Sequence, residues 1–128
     1  MTPLVQALLL ACALHSFALA LFHVGFWRLF GWPRTLQNTT LANRAIVQIA
    51  NVQLIWVFTG IGLLCLWMPD ELVGTPLGRV LLAGMAAFWV IRTVTQFVWL
   101  RVHHRLVHAL TVVFALGAGL FAAPLFLT

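Results

Sequence analysis

The sequence predicts an all-α integral membrane protein, a four-helix transmembrane bundle with both termini outside, and three observations predict it. Residues are 63% hydrophobic and only 7% charged, with mean hydropathy +1.07, more apolar surface than a soluble domain of 128 residues has room to bury. The apolar residues fall into four runs of about 20, the length that crosses a bilayer core. The breaks between runs collect arginines, prolines and several of the tryptophans, as membrane boundaries do. Residues 1–128 form a single four-span domain, with no convincing repeat or low-complexity tail.

The first span covers about residues 4–27. Ala18-Leu-Ala20 resembles a signal-cleavage site, but no basic segment precedes the run, so it is expected to persist as a helix. Phe26-Trp27-Arg28-Leu-Phe-Gly-Trp32-Pro33-Arg34 then reads as an interfacial anchor closed by proline. Thr35–Asn43 is a polar loop containing a glycosylation sequon by spacing alone. The second span covers about 42–68, and its first half is polar: Arg44, Gln48 and Asn51 share one helical face, while Gln53 points elsewhere. Pro69–Arg79 is expected to be a turn-rich connection. The third and fourth spans cover about 80–100 and 106–127. Only Arg101–Arg105 joins them, which makes them antiparallel neighbours. Gly117-Ala118-Gly119 offers a small surface for close helix approach.

The formal charge of +5 comes from seven arginines against Asp70 and Glu71, with no lysine. At span boundaries such residues orient a protein and meet lipid phosphates, so nucleic-acid binding is excluded as a function class. Arg28, Arg34, Arg44, Arg101 and Arg105 lie on the first and third loops. The positive-inside rule puts those loops in the cytoplasm and both termini outside.

At 1.5 Å per residue, His23, Gln48, Asn51, Arg92 and Gln96 fall within roughly 5–15 Å of the cytoplasmic boundary, defining a polar pocket in that half. Arg92 is the sharpest of them. A guanidinium in a span is costly unless paired or hydrated, and no acid lies in any span. Snorkelling with help from Gln96, an anionic ligand and a partner's acid are the available solutions. A b-type haem needs two imidazoles at matched depth, which nominates His23 with His108 or His104 as axial ligands and Arg92 for a propionate. A solvated, interfacial role is the plainer account of His103 and His104. His15, near mid-membrane, suits a helix-packing hydrogen bond. Cys12 and Cys65 read as buried small hydrophobes and not as a CxxC pair. No metal site is expected, since acids and cysteines are missing near the histidines. No nucleophile–base arrangement supports catalysis, and the six tryptophans, mostly near the predicted interfaces, read as belts.

At His23-Val-Gly-Phe-Trp27 followed by Leu41-Ala-Asn43-Arg-Ala-Ile-Val-Gln48-Ile-Ala-Asn51, the sequence resembles small four-helix bacterial inner-membrane proteins of uncharacterised function. The resemblance covers the layout of the whole chain and implies a fold and a bacterial inner-membrane location, with no activity attached. Proteins of this kind often carry an acid in the first span, and this chain has none. Three functions stay open. One is an accessory or scaffold subunit contacting lipid or a larger membrane complex. The second is a carrier of b haem or quinone, and the third is a small transporter or channel built as a homo-oligomer.

Overall fold

Four side chains decide where the long helices begin. Thr2, Thr40 and Thr75 each present a hydroxyl oxygen to the backbone N–H three residues on, at 3.0–3.2 Å, and His104 Nδ1 accepts from Leu106 N–H at 3.1 Å. Each cap satisfies one of the donors a helix start leaves unpaired. In the computed structural model, which describes residues 1–128, the chain is helical with no strand. The capped helices are α1 (Pro3–Val24), α3 (Leu41–Trp67), α5 (Pro76–Trp99) and α6 (Arg105–Phe126); α2 (Phe26–Leu29), a 3-10 turn (Arg34–Leu36) and α4 (Pro69–Gly74) join them. All four long helices are long and apolar enough to cross a membrane.

Two boundaries differ from the sequence reading. The first long helix stops at Val24, because Gly25 turns the chain, bonding back to the Leu21 and Phe22 carbonyls, and α2 follows in a new direction. The connection at 69–79 is largely helix. Pro69 starts α4 and Pro76 starts α5, each in the first turn, where a missing N–H costs nothing. Asp70 and Glu71 therefore sit in the first turn of α4, the end of a helix that favours acids.

The long helices alternate in direction, and the contacts show it. Asn51 on α3 meets His23 on α1, and Gly62 meets Phe17. On α6, Val113 and Leu120 meet His15 and Cys12 of α1. Between α5 and α6, Gln96 meets Val107 and Arg79 meets Leu125. So α1 packs against α3 and α6, and α5 packs against α6. By contrast, α3 and α5 stay apart at the backbone and touch through Phe58 against Phe88 and Trp89.

Halfway along, Phe58, Trp89 and Phe114 form one stack from three helices, with successive centroids 5.4 and 5.5 Å apart and planes 16° and 12° from parallel. Trp89 is 1% exposed, so this tryptophan is core and not part of an interfacial belt. Gly117 is what admits it: a Cβ there would stand 2.7 Å from His15 Cε1 and 2.9 Å from Trp89 Cγ. The other glycine of that run, Gly119, faces open space. Trp56 also departs from a belt position, exposed on the outer face of α3 several turns from either end.

Candidate functional site

The half of the molecule that holds Arg28, Arg34, Arg44, Arg101 and Arg105 also holds the polar residues, and they divide into two groups. One group is structural. Asn51, 3% exposed, donates from Nδ2 to the His23 carbonyl at 2.8 Å. That carbonyl lies in the last turn of α1, so Asn51 supplies from α3 a bond that α1 lacks at its end. Gln48 accepts from Trp27 Nε1 at 3.0 Å and donates to the Arg44 carbonyl at 3.0 Å, fastening α2 to α3. Asn51 thus serves the end of α1 and Gln48 serves α2, and neither lines the interior cavity. Gln53 is exposed on the outer face of α3, beside Gln48 and Trp27 and away from the interior cavity.

The other group lines a cavity of about 280 Å³ with walls from all four long helices and α2. Its polar residues are His23 and Arg92; the rest are apolar, among them Phe22, Phe26, Phe58, Phe88, Trp89 and Phe114. The central ring stack bounds it toward the middle of the helices, and Phe30 and Leu100 stand toward the arginine-rich end. A mostly apolar concavity with few polar groups is the general form of a small-molecule site. Sequence reasoning named Arg92 and His23 and missed the aromatic walls. The available signal was the spacing Phe22, Phe26 and Phe30, four residues apart, which puts three rings along one side of the chain where α1 turns into α2.

Arg92 is half-buried, and its guanidinium makes no hydrogen bond or ion pair with the protein. Its one specific contact is a cation–π approach, Cζ lying 4.5 Å from the centre of the Phe114 ring. Such a contact offsets only part of what a buried guanidinium loses with its water, on the order of 1–2 kcal/mol. Gln96 does not help it. Although one turn away, Gln96 is 2% exposed and donates instead to the Val107 carbonyl (3.1 Å) and Thr111 Oγ1 (3.2 Å) of α6, leaving its own oxygen unpartnered.

His23 is held firmly. Nδ1 bonds the Leu19 carbonyl at 2.7 Å, the ring stacks on Phe26 at 4.3 Å, and Phe58 meets it edge-on at 5.1 Å. The two other nominated haem ligands lie elsewhere. His108 faces His103, ring centres 5.6 Å apart, in a separate cavity of about 180 Å³ at the α5–α6 turn, with Gln96, Arg101 and Thr111. His104 is exposed and caps α6. The structure thus brings His23 together with Arg92 and does not bring it together with His108 or His104. No cluster of three His, Cys, Asp or Glu side chains has the arrangement to hold a metal.

His15 and Cys12 join α1 to α6, while Ser16 Oγ and Trp89 Nε1 are buried without a partner. His15 Nε2 donates to the Val113 carbonyl at 2.9 Å and its ring meets Trp89 edge-on. Cys12 donates its thiol hydrogen to the Leu120 carbonyl at 3.1 Å, with Cys65 of α3 beside it; both cysteines are buried and free. A larger groove, about 530 Å³ along the outer face of α3 from Trp56 to Met68, offers Thr59 as its single polar side chain, and that hydroxyl is bonded to the Ile55 carbonyl. No protein-family profile, curated protein sequence or solved structure matches this chain.

Proposed function

We propose that this protein is a four-helix bundle of the bacterial inner membrane, with both termini outside, acting as a small accessory subunit that holds a membrane-soluble ligand in its cytoplasmic half. The observation that carries the reading is Arg92: a half-buried guanidinium with no acid and no hydrogen bond, on the wall of an apolar cavity. An arginine so placed is a binding-site hypothesis by default. The ligand presents an anionic or strongly accepting oxygen to it. A ligand inside the cavity is favoured over an acid from another subunit, because Arg92 lines a cavity whose walls come from four helices of this chain. Membership of a larger complex then rests on the exposed apolar helix faces, and the inner-membrane location on the resemblance to small bacterial four-helix proteins.

The other readings draw less support. A bis-histidine haem needs His23 opposite His108 or His104, and these do not share a cavity. A pathway through one chain meets the Phe58–Trp89–Phe114 stack halfway, so the transporter or channel reading rests on a seam between copies of a homo-oligomer.

The test is native mass spectrometry of the protein drawn gently from its membrane, with a visible spectrum of the same sample. The expected result is a bound small molecule retained by the wild type and absent from Arg92→Gln, in a colourless protein. An empty wild-type cavity, or a ligand equally retained by Arg92→Gln, rejects the ligand-site reading. A Soret band restores haem. For topology, a reporter fused after Thr128 should be active only outside the cytoplasm, and cytoplasmic activity overturns the orientation.

A further inference from the structure

The two polar groups of the Arg92 cavity are chemically complementary, and that narrows what they receive. The guanidinium has donors only. His23 is the reverse. A backbone carbonyl only accepts, so the 2.7 Å contact to Leu19 O requires the hydrogen to sit on Nδ1. In the neutral ring the other nitrogen, Nε2, is then an acceptor with no protein partner. The ring has no freedom to swap roles, since Phe26 stacks on it and Phe22 and Phe58 meet its edges. A ligand that satisfies both groups carries an accepting oxygen and a hydroxyl hydrogen on one small head.

The walls specify the rest of that head. Phe22, Phe26, Phe58, Phe88, Trp89 and Phe114 enclose it, and offset or edge-on contacts with flat rings are what such side chains favour. A volume of about 280 Å³ falls just below the usual range of ligand pockets, roughly 300–1,000 Å³, so it suits one substituted ring and not a whole lipid. Between α3 and α5 there is no close backbone packing, and side chains fill the gap: Phe58 meets Phe88 and Trp89, and further along Ile61 and Cys65 stand beside Leu82 and Met85. An ionised fatty acid offers acceptors alone and leaves Nε2 unpaired; a phospholipid head can add a hydroxyl to its phosphate, but it is not flat and gains no stacking from the aromatic walls.

We propose that the Arg92 cavity binds a hydroxylated aromatic ring of the quinol–quinone class, one ring oxygen accepting from Arg92 and a ring hydroxyl donating to His23 Nε2. This rests on the reading of the cavity as a ligand site and adds the ligand's class. Binding alone is proposed, with no electron transfer.

The test uses the full chain, stripped of endogenous lipid and placed in phosphatidylcholine nanodiscs. The probes are a decyl-substituted benzoquinol, its dimethyl ether and phosphatidylglycerol, with affinity read from tryptophan fluorescence per mole of lipid. The ether keeps the ring and its oxygens but has no hydroxyl hydrogen. Loss of one buried hydrogen bond corresponds to about tenfold in affinity. The quinol should therefore bind about tenfold more tightly than the ether. His23→Phe, which keeps a stacking ring, should erase that preference, and Arg92→Gln should weaken quinol and ether alike by about tenfold. The comparison of quinol with ether in the wild type needs no variant, so it decides even if His23→Phe fails to fold. Equal binding of quinol and ether overturns the assignment. If phosphatidylglycerol binds in their place and is lost in Arg92→Gln, the ligand-site reading stands and the quinol class falls. If no probe binds, both fall.

Discussion

Helix α5 carries two arginines, Arg79 and Arg92, and the protein treats them oppositely. Arg79, at the start of the helix, is clamped. Its Nη1 donates to the Val73 carbonyl (3.3 Å) and Thr128 Oγ1 (2.6 Å), and its Nη2 donates to the Leu125 carbonyl (3.0 Å). The Leu125 carbonyl belongs to the last turn of α6, where no intrahelical donor exists, and a cation there also suits the helix dipole. One guanidinium thus ties α4, α5 and α6 together. Arg92, thirteen residues further along, faces an apolar cavity and a phenyl ring. The same side chain is a structural tie where unpaired carbonyls converge and a vacant donor where they do not. The surroundings decide the role.

This difference has opposite signs in stability. Arg79→Ala removes three hydrogen bonds from a charged donor and takes their partner from the Val73 carbonyl of α4 and the Leu125 carbonyl of α6. Discounted for partial exposure, the loss should be about 2–3 kcal/mol, the largest effect expected of any arginine here. Arg92→Met, measured without ligand, should go the other way. Apparent insertion costs for an arginine at a span centre are about 2.5–3.5 kcal/mol, and Arg92 lies nearer one end and keeps its contact with Phe114. A gain of about 1 kcal/mol is therefore expected. Reversible unfolding in mixed micelles measures both. If both variants lose stability to the same degree, Arg92 has a protein partner and the contrast is wrong.

A third substitution sharpens the contrast by giving Arg92 what it lacks. Leu110 lines the same cavity from α6, so Leu110→Glu places a carboxylate within the cavity wall. A buried ion pair roughly offsets its own desolvation, so stability should change by less than about 1 kcal/mol. Ligand retention should nevertheless vanish, because the acid occupies the guanidinium. A variant that still retains its ligand would show that Arg92 is not what holds it.

Arg92 was legible in the sequence because its difficulty is a matter of composition: a charged residue in an apolar run, with no acid in any span. The four long helices were legible for the same reason, since run length and apolarity are local properties. What the sequence concealed is what depends on helix rotation. Gln48, Asn51 and Gln96 look like residues of the Arg92 pocket by depth, yet Gln48 and Asn51 turn to the end of α1 and to α2, and Gln96 turns to α6 and the smaller cavity at the α5–α6 turn. Trp89 lies in the middle of its span by sequence, but which way its ring faces depends on rotation, and its pairing with Phe58, Phe114 and Gly117 makes it core. His23 and His108 match in depth, but depth is one coordinate of three, and they line different cavities. Arg79 was read as a loop charge because the helix begins at Pro76, four residues earlier than the apolar run suggests.

The smallest effect separates the two arginines by shape and not by charge. Lysine keeps the positive charge but replaces the planar fork by a compact ammonium, which does not reproduce a spread of three acceptors. At position 79 those acceptors lie on α4, α6 and the C-terminal Thr128, so Arg79→Lys should keep one or two bonds and lose about 1 kcal/mol. At position 92 the protein supplies no acceptors, so Arg92→Lys should leave unliganded stability within about 0.5 kcal/mol, the usual range for substitutions that break no specific feature. Its effect should appear only with ligand bound. If Arg92→Lys retained the ligand as well as the wild type, charge alone would do the work at 92. Weaker retention at unchanged stability assigns the work to the fork, and makes the geometry of the guanidinium the feature that distinguishes a site from a snorkelling side chain.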